Sequence, residues 1–174
     1  GDTTSSYTGL AISITCIGEA MAEDIVYRHG ARETDLVCVT GDLGAAYMGL
    51  QLLEREKNVY YQQIDDINRK IRKASAEGNK ALVKHLQEEG MKINDFQPDF
   101  AGREYLIQRQ LKPEARGDII ALLKENNIRP TAMMDISDGL SSELLHICHQ
   151  SHCGCRIYEK KIPIDYQTAV HMRG

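Results

Sequence analysis

The sequence predicts an α/β or α+β fold, a mixed sheet flanked by helices, and three observations carry that expectation. From Leu36 onward, short apolar runs alternate with stretches of helical spacing. Leu36-Val37-Cys38-Val39-Thr40 is nearly continuously apolar, as a strand buried on both faces would be. Thr131 to Met134 is an apolar approach into Asp135-Ile136-Ser137-Asp138-Gly139, after which Leu140, Leu144, Leu145 and Cys148 mark an amphipathic helix.

Bulk properties narrow the class. A chain of 174 residues suits one domain with a proper core, or one domain plus part of another. Its 42% hydrophobic and 26% charged residues are those of a globular protein, and a net charge of −4 with no basic stripe argues against nucleic acid. No apolar run approaches the ~20 residues that span a bilayer, so no membrane partner is expected. Five cysteines without regular spacing read as reduced thiols in a cytoplasmic protein rather than a disulfide framework. The chain starts at Gly1 without an initiator methionine and stops at Gly174 soon after a strand-like segment, so a fragment is expected.

In order, Gly1 to Ser6 is a hydroxyl-rich loop. Leu10 to Ile17 alternates, with Leu10, Ile12, Ile14 and Cys16 on one face, and reads as a strand ended by Gly18. Arg28 to Asp35 is a polar turn, and a domain boundary is placed near it. After the Leu36–Thr40 run, Gly41-Asp42-Leu43-Gly44 opens a helix, because Leu43, Tyr47, Leu50 and Leu53 fall at helical spacing. Residues 54–94 are charged and poor in apolar residues, punctuated by Gly78 and Gly90, and read as one or two amphipathic helices with a solvated face. Tyr105 to Leu111 is a short apolar segment closed by Lys112-Pro113, and Arg116 to Asn126 is a short helix. Cys155 to Tyr158 reads as a further strand, followed by Ile162-Pro163-Ile164.

Two constellations have chemical potential. Asp2, Asp42, Asp135 and Asp138 stand in loops at expected element ends. If they converge they make an oxygen-donor site for magnesium and a nucleotide; otherwise they are separate turn and cap residues. Backbone N–H groups at the Asp135–Gly139 turn would equally suit an anion. Cys148, His149, His152, Cys153 and Cys155 cluster without a zinc spacing, which favours buried structural cysteines. No Gly-x-Ser-x-Gly elbow and no Gly-x4-Gly-Lys-Ser/Thr loop is present, so ATP would have to be handled by another design.

Taken together, these motifs resemble the thiamine-monophosphate kinase family of the aminoimidazole ribonucleotide synthetase-like superfamily. The resemblance rests on Gly1-Asp2-Thr3-Thr4, Tyr27-Arg28-x-Gly30-Ala31, Asp35, Val39-Thr40-Gly41-x-Leu43-Gly44, Gly49-Leu50 and Met134-Asp135-Ile136-Ser137-Asp138-Gly139-Leu140. It covers most of the chain apart from residues 54–94. The last motif discriminates most, since sister enzymes typically carry a Thr-Gly or similar in place of Ser137-Asp138.

The resemblance implies ATP- and magnesium-dependent phosphorylation of thiamine monophosphate to thiamine diphosphate by a homodimeric enzyme. It assigns nucleotide contacts to Gly1, Asp2, Arg28 and Ser137, and magnesium to Asp2, Asp135 and Asp138. Asp42 is left out, because other members often differ there. Residues 1–24 would end the N-terminal ATP-binding domain with one leftover strand, and residues 25–174 would be an incomplete C-terminal α/β domain with a helical insertion at about 54–94. Members of the family extend beyond both ends of this sequence, so the 174 residues alone are expected to have little or no activity. The alternatives are another ATP-using enzyme of the superfamily, like aminoimidazole ribonucleotide or selenophosphate synthetase, or a non-catalytic module whose 54–94 helices bind a partner.

Overall fold

The structure, a computed structural model, describes residues 14–93 and 95–172. Gly1, Asp2 and the first part of the expected Leu10–Ile17 strand lie outside the described residues. Among the described residues six α-helices follow one another: α1 (Ala45–Ala76), α2 (Lys80–Ile93), α3 (Glu104–Leu111), α4 (Gly117–Glu125), α5 (Leu140–Ser151) and α6 (Tyr166–His171).

The expected mixed sheet is corrected by this architecture. No strand occurs among the described residues. Residues 36–39 and 153–158 lie outside any helix and form no strand pairing among the described residues, and Leu36 is 88% exposed. Ile17, at the end of the expected first strand, is 96% exposed. A run of apolar residues reports what a segment could bury. A strand also needs a partner to take its N–H and C=O groups, and local periodicity does not supply one.

The described residues divide into two compact units. The first holds the described residues up to Asp35 together with Arg129–Gly154, and the second holds Leu36–Ile128 together with the described residues from Cys155 onward.

The second unit is built on α1, 32 residues long, which runs from the glycine-rich turn well into the charged stretch. Its inner face carries Ala45, Gly49 and Leu52, the i, i+4, i+7 spacing of one helical stripe. Ala45 and Leu52 pack with the fully buried Leu106 of α3, and Met48, Tyr105 and Ile107 surround them. Gly49 lets the two helices touch: a Cβ there would sit 2.2 Å from the Leu106 carbonyl oxygen. The turn at Glu77-Gly78-Asn79 closes α1 through Asn79 N–H to Ala74 O at 2.9 Å. Asn79 then caps α2, its side-chain oxygen accepting from Leu82 N–H at 3.1 Å. Ile67 of α1 meets Gly90, which lies inside α2 rather than ending it. Leu43 N–H donates to Pro163 O at 2.9 Å, and the wholly buried Thr168 of α6 packs beside Gly44.

The first unit pairs two segments without making a sheet. Met133 N–H donates to Tyr27 O at 2.9 Å, and the Arg129 guanidinium donates to Ile25 O at 3.1 Å. Asp35 Oδ2 accepts from Thr131 Oγ1 at 2.6 Å and from Arg32 N–H at 2.8 Å. Those bonds, the Thr131 hydroxyl foremost, hold its carboxyl below the usual range. Helix α5 is fastened to the same segment by Ser151 Oγ, which accepts from Gly30 N–H and Ala31 N–H at 3.2 and 3.1 Å. No helix among the described residues is long and apolar enough to cross a membrane.

Candidate functional site

The acidic turn sits at the mouth of α5. Gly139 precedes the helix at φ 118° and ψ 156°, a conformation that side-chain-bearing residues rarely adopt, and so redirects the chain into Leu140. Asp135, Ser137 and Asp138 are all exposed. No hydrogen bond or ion pair among the described residues engages the carboxylates of Asp135 or Asp138, so neither side chain is the helix cap that an Asp at this position could be.

The turn is held instead by Glu143, in the first turn of α5. Its Oε1 accepts from Asp138 N–H at 2.9 Å, Ser137 N–H at 3.2 Å and Ser137 Oγ at 3.4 Å. Its residue exposure is only 3%. The Asp138 N–H above all, then that of Ser137 and the Ser142 and Ser137 hydroxyls, hold its carboxyl below the usual range against the opposing effect of desolvation. Glu143 is therefore ionised at neutral pH. The two N–H groups that an external anion might have taken are already bonded to it.

Arg28 is exposed at a bend, flanked by Tyr27 and His29, whose rings stack with centroids 5.1 Å apart. It stands one residue past Tyr27, and Asp135 stands two past Met133. The bond between Tyr27 and Met133 thus keeps the Cα atoms of Arg28 and Asp135 within roughly 15 Å of each other. Asp135 and Asp138, three residues apart, have Cα atoms within about 11 Å. Gly1 and Asp2 lie outside the described residues. Among the described residues no group of three or more His, Cys, Asp or Glu side chains is arranged to hold a metal ion. The donor chemistry of Asp135 and Asp138 nevertheless fits magnesium: two exposed carboxylates offer hard oxygen ligands to a cation that keeps several waters.

Asp42 has a different surrounding, within the second unit. It lines a cleft of about 270 Å³ with Tyr105, Arg109, Lys112 and Arg116. Tyr105 and Arg109, one turn apart on α3, both reach it: the Tyr105 hydroxyl donates to Asp42 Oδ2, and Arg109 Nη2 donates to the Asp42 carbonyl at 3.4 Å. Arg116 is forked onto Asp118 at 2.9 and 3.0 Å. Opposite charges stand side by side around this cleft, and Asp42 serves the packing of α3 against the turn before α1.

Burial first, then the bond to Asp42, pushes the Tyr105 hydroxyl up to about 12. A tyrosine free in the unfolded chain ionises near 10, so this contribution to stability is complete below pH ~10 and is lost as pH rises toward 12. Ultraviolet titration of the tyrosines should show one late-ionising group that disappears in Tyr105→Phe; an unchanged titration curve would contradict the assignment.

Glu143 and the Tyr105–Arg109 pair are not among the site residues that the sequence predicts. An acid in the first turn of an expected helix, just after two aspartates, is the signal for the first. The i, i+4 spacing of Tyr105 and Arg109 is the signal for the second.

No family model and no solved structure matches the chain. Curated relatives do. The thiamine-monophosphate kinase of Bacillus subtilis (strain 168) is 28% identical over 167 residues, covering 94% of this chain and 38% of that protein. The thiamine-monophosphate kinase of Buchnera aphidicola subsp. Schizaphis graminum is 32% identical over 165 residues, covering 94% of this chain and 38% of its own length. That of Aquifex aeolicus is 28% identical over 171 residues, or 98% of this chain and 42% of the relative. The chain therefore spans about 40% of the length of the relatives it matches. Nearly its whole length is similar to thiamine-monophosphate kinases, which bears out the family resemblance carried by its motifs.

Proposed function

We propose that these residues form part of a magnesium-dependent kinase that phosphorylates thiamine monophosphate to thiamine diphosphate with ATP, in the cytoplasm. The observation that carries this reading is the similarity along 94–98% of the chain to proteins of that name, together with the exposed side chains of Asp135 and Asp138 at the turn. In this reading residues 1–24 belong to an N-terminal ATP-binding domain, and residues 25–174 to the domain that follows.

The residue types suit the reaction. A phosphate oxygen of thiamine monophosphate is already a nucleophile at neutral pH, so no general base is required. The barrier is the approach of two anions, which positioning and charge neutralisation lower. Arg28, exposed beside the segment that leads into Asp135, supplies a permanent positive charge toward the nucleotide phosphates. Asp135 and Asp138, with Asp2, would hold magnesium, which when bound offsets phosphate charge and orients the transferring group. The Ser137 hydroxyl and the Gly1-Asp2 backbone would position the nucleotide.

Matching 38–42% of its relatives' length, the 174-residue chain alone is expected to form little or no thiamine diphosphate. Splicing these residues into the Bacillus subtilis relative, in place of the segment they match, should give an enzyme that makes thiamine diphosphate only when ATP and magnesium are present. Offering the splice aminoimidazole precursors and selenide as rival acceptors completes the test. A folded splice that consumes ATP on one of those and not on thiamine monophosphate would sink the reading, and so would turnover by the 174-residue chain alone sink the expectation of inactivity.

A further inference from the structure

We infer that Glu143 is a positioning residue that sets the geometry of the Asp135–Asp138 turn. A buried carboxylate is retained only where its oxygens are well bonded. Here a single oxygen, Oε1, gathers donors from two consecutive residues, Ser137 and Asp138. Both precede the cap residue Gly139, so Glu143 is not satisfying the orphan N–H groups of its own helix. An ordinary capping box reaches back only to the cap residue. This side chain reaches one and two residues further, and what it fixes is the backbone from which the Asp135 and Asp138 carboxylates project.

Its division of labour with those carboxylates follows from the same bonds. Because Glu143 restrains the turn through backbone N–H groups, Asp135 and Asp138 need not do so and keep their oxygens for a ligand. The three bonds to the turn all fall on Oε1, so a neutral amide oxygen at the same place can accept them too. The positive end of the α5 dipole lies at the same turn, which suits the ionised form but is not what aligns it.

The role in metal binding rests on the proposed function, whereas the restraint of the turn does not, and two readouts keep them apart. In the 174-residue chain, amide hydrogen exchange at Ser137 and Asp138 should be slow, preserved in Glu143→Gln, and at least about tenfold faster in Glu143→Leu with helix content unchanged. Equal exchange in parent and Glu143→Leu, or full loss of protection in a folded Glu143→Gln, overturns the inference. In the spliced kinase, Glu143→Leu should raise the magnesium concentration for half-maximal turnover by roughly 10–100-fold, the usual effect of losing a support behind metal ligands, while Glu143→Gln stays near the parent. An unchanged magnesium requirement in Glu143→Leu overturns the positioning of metal ligands even if the exchange result holds. A folded splice without turnover on thiamine monophosphate overturns the kinase reading and leaves the exchange experiment decisive for the turn.

Discussion

Gly49→Ala should destabilise the protein by about 2 kcal/mol, although Gly→Ala inside a helix ordinarily gains roughly 1 kcal/mol. The added Cβ would lie 2.2 Å from the Leu106 carbonyl oxygen, 2.8 Å from its carbonyl carbon and 3.0 Å from Gln110 Cβ. Two of these three atoms are backbone, so no side-chain rotation relieves the contact, and α3 has to move away from α1. Overpacking of this kind costs about 1–3 kcal/mol, sometimes more. The retreat would also open the small core around Ala45, Leu52 and Leu106. Gly90 is the internal control. It too lies within a helix, but its Cβ would meet only Ile67 Cγ2 at 3.4 Å, the end of a side chain. Gly90→Ala should therefore be neutral or stabilising by up to roughly 1 kcal/mol. Thermal melts of the two variants should move in opposite directions. A Gly49→Ala melt at or above the parent's would contradict the packing of α1 on α3.

The second large effect belongs to Asp135. In the spliced kinase, Asp135→Ala should lower kcat/KM by roughly 10²–10³-fold, the scale of losing one preorganised electrostatic group at a reacting centre. Stability should change by less than about 0.5 kcal/mol, because the side chain is exposed and engages no described partner. Raised magnesium should restore part of the activity if the loss is one of metal affinity. Glu143→Leu should differ by disturbing the turn as well. Loss of folding in Asp135→Ala, or turnover within a few-fold of the parent, would show that the carboxylate serves the structure rather than the chemistry.

The helices were largely legible in the sequence, whereas the expected sheet does not form among the described residues, for a physical reason. The spacing of Leu140, Leu144 and Leu145 and of Ile119, Ile120, Leu122 and Leu123 is a property of one segment, and α5 and α4 form where it appears. The Leu36–Thr40 and Cys155–Tyr158 runs have strand-like patterns too, but strand formation depends on a second segment at hydrogen-bonding distance. None is present among the described residues. Tyr105–Leu111, read only as an apolar segment, is helical, and the Tyr105 and Arg109 side chains one turn apart meet Asp42. Gly49 serves a crossing of two helices, where its missing Cβ lets the Leu106 carbonyl approach.

The candidate site divides in the same way. Asp135 and Asp138 are candidates from residue type and spacing, Ser137 only from the family resemblance, and no partner among the described residues engages the two carboxylates. Whether the aspartates cap the helix or face a ligand could not be settled from the turn alone. Glu143 holds the turn through the Ser137 and Asp138 N–H groups, so neither aspartate is needed as its cap. Its role depends on a side chain folding back over the start of its own helix, which no periodicity encodes.

The claim that Asp135 and Asp138 lie at a metal–nucleotide site is tested most directly by paramagnetic broadening. Manganese, as a magnesium stand-in, would be titrated with ATP into the isotope-labelled 174-residue chain while each backbone amide is followed by nuclear magnetic resonance. The expected result is selective loss of signal from Asp135 to Gly139 and from Arg28, weakened when Asp135 and Asp138 are both replaced by Asn. Broadening centred elsewhere, with those amides untouched, would contradict the assignment.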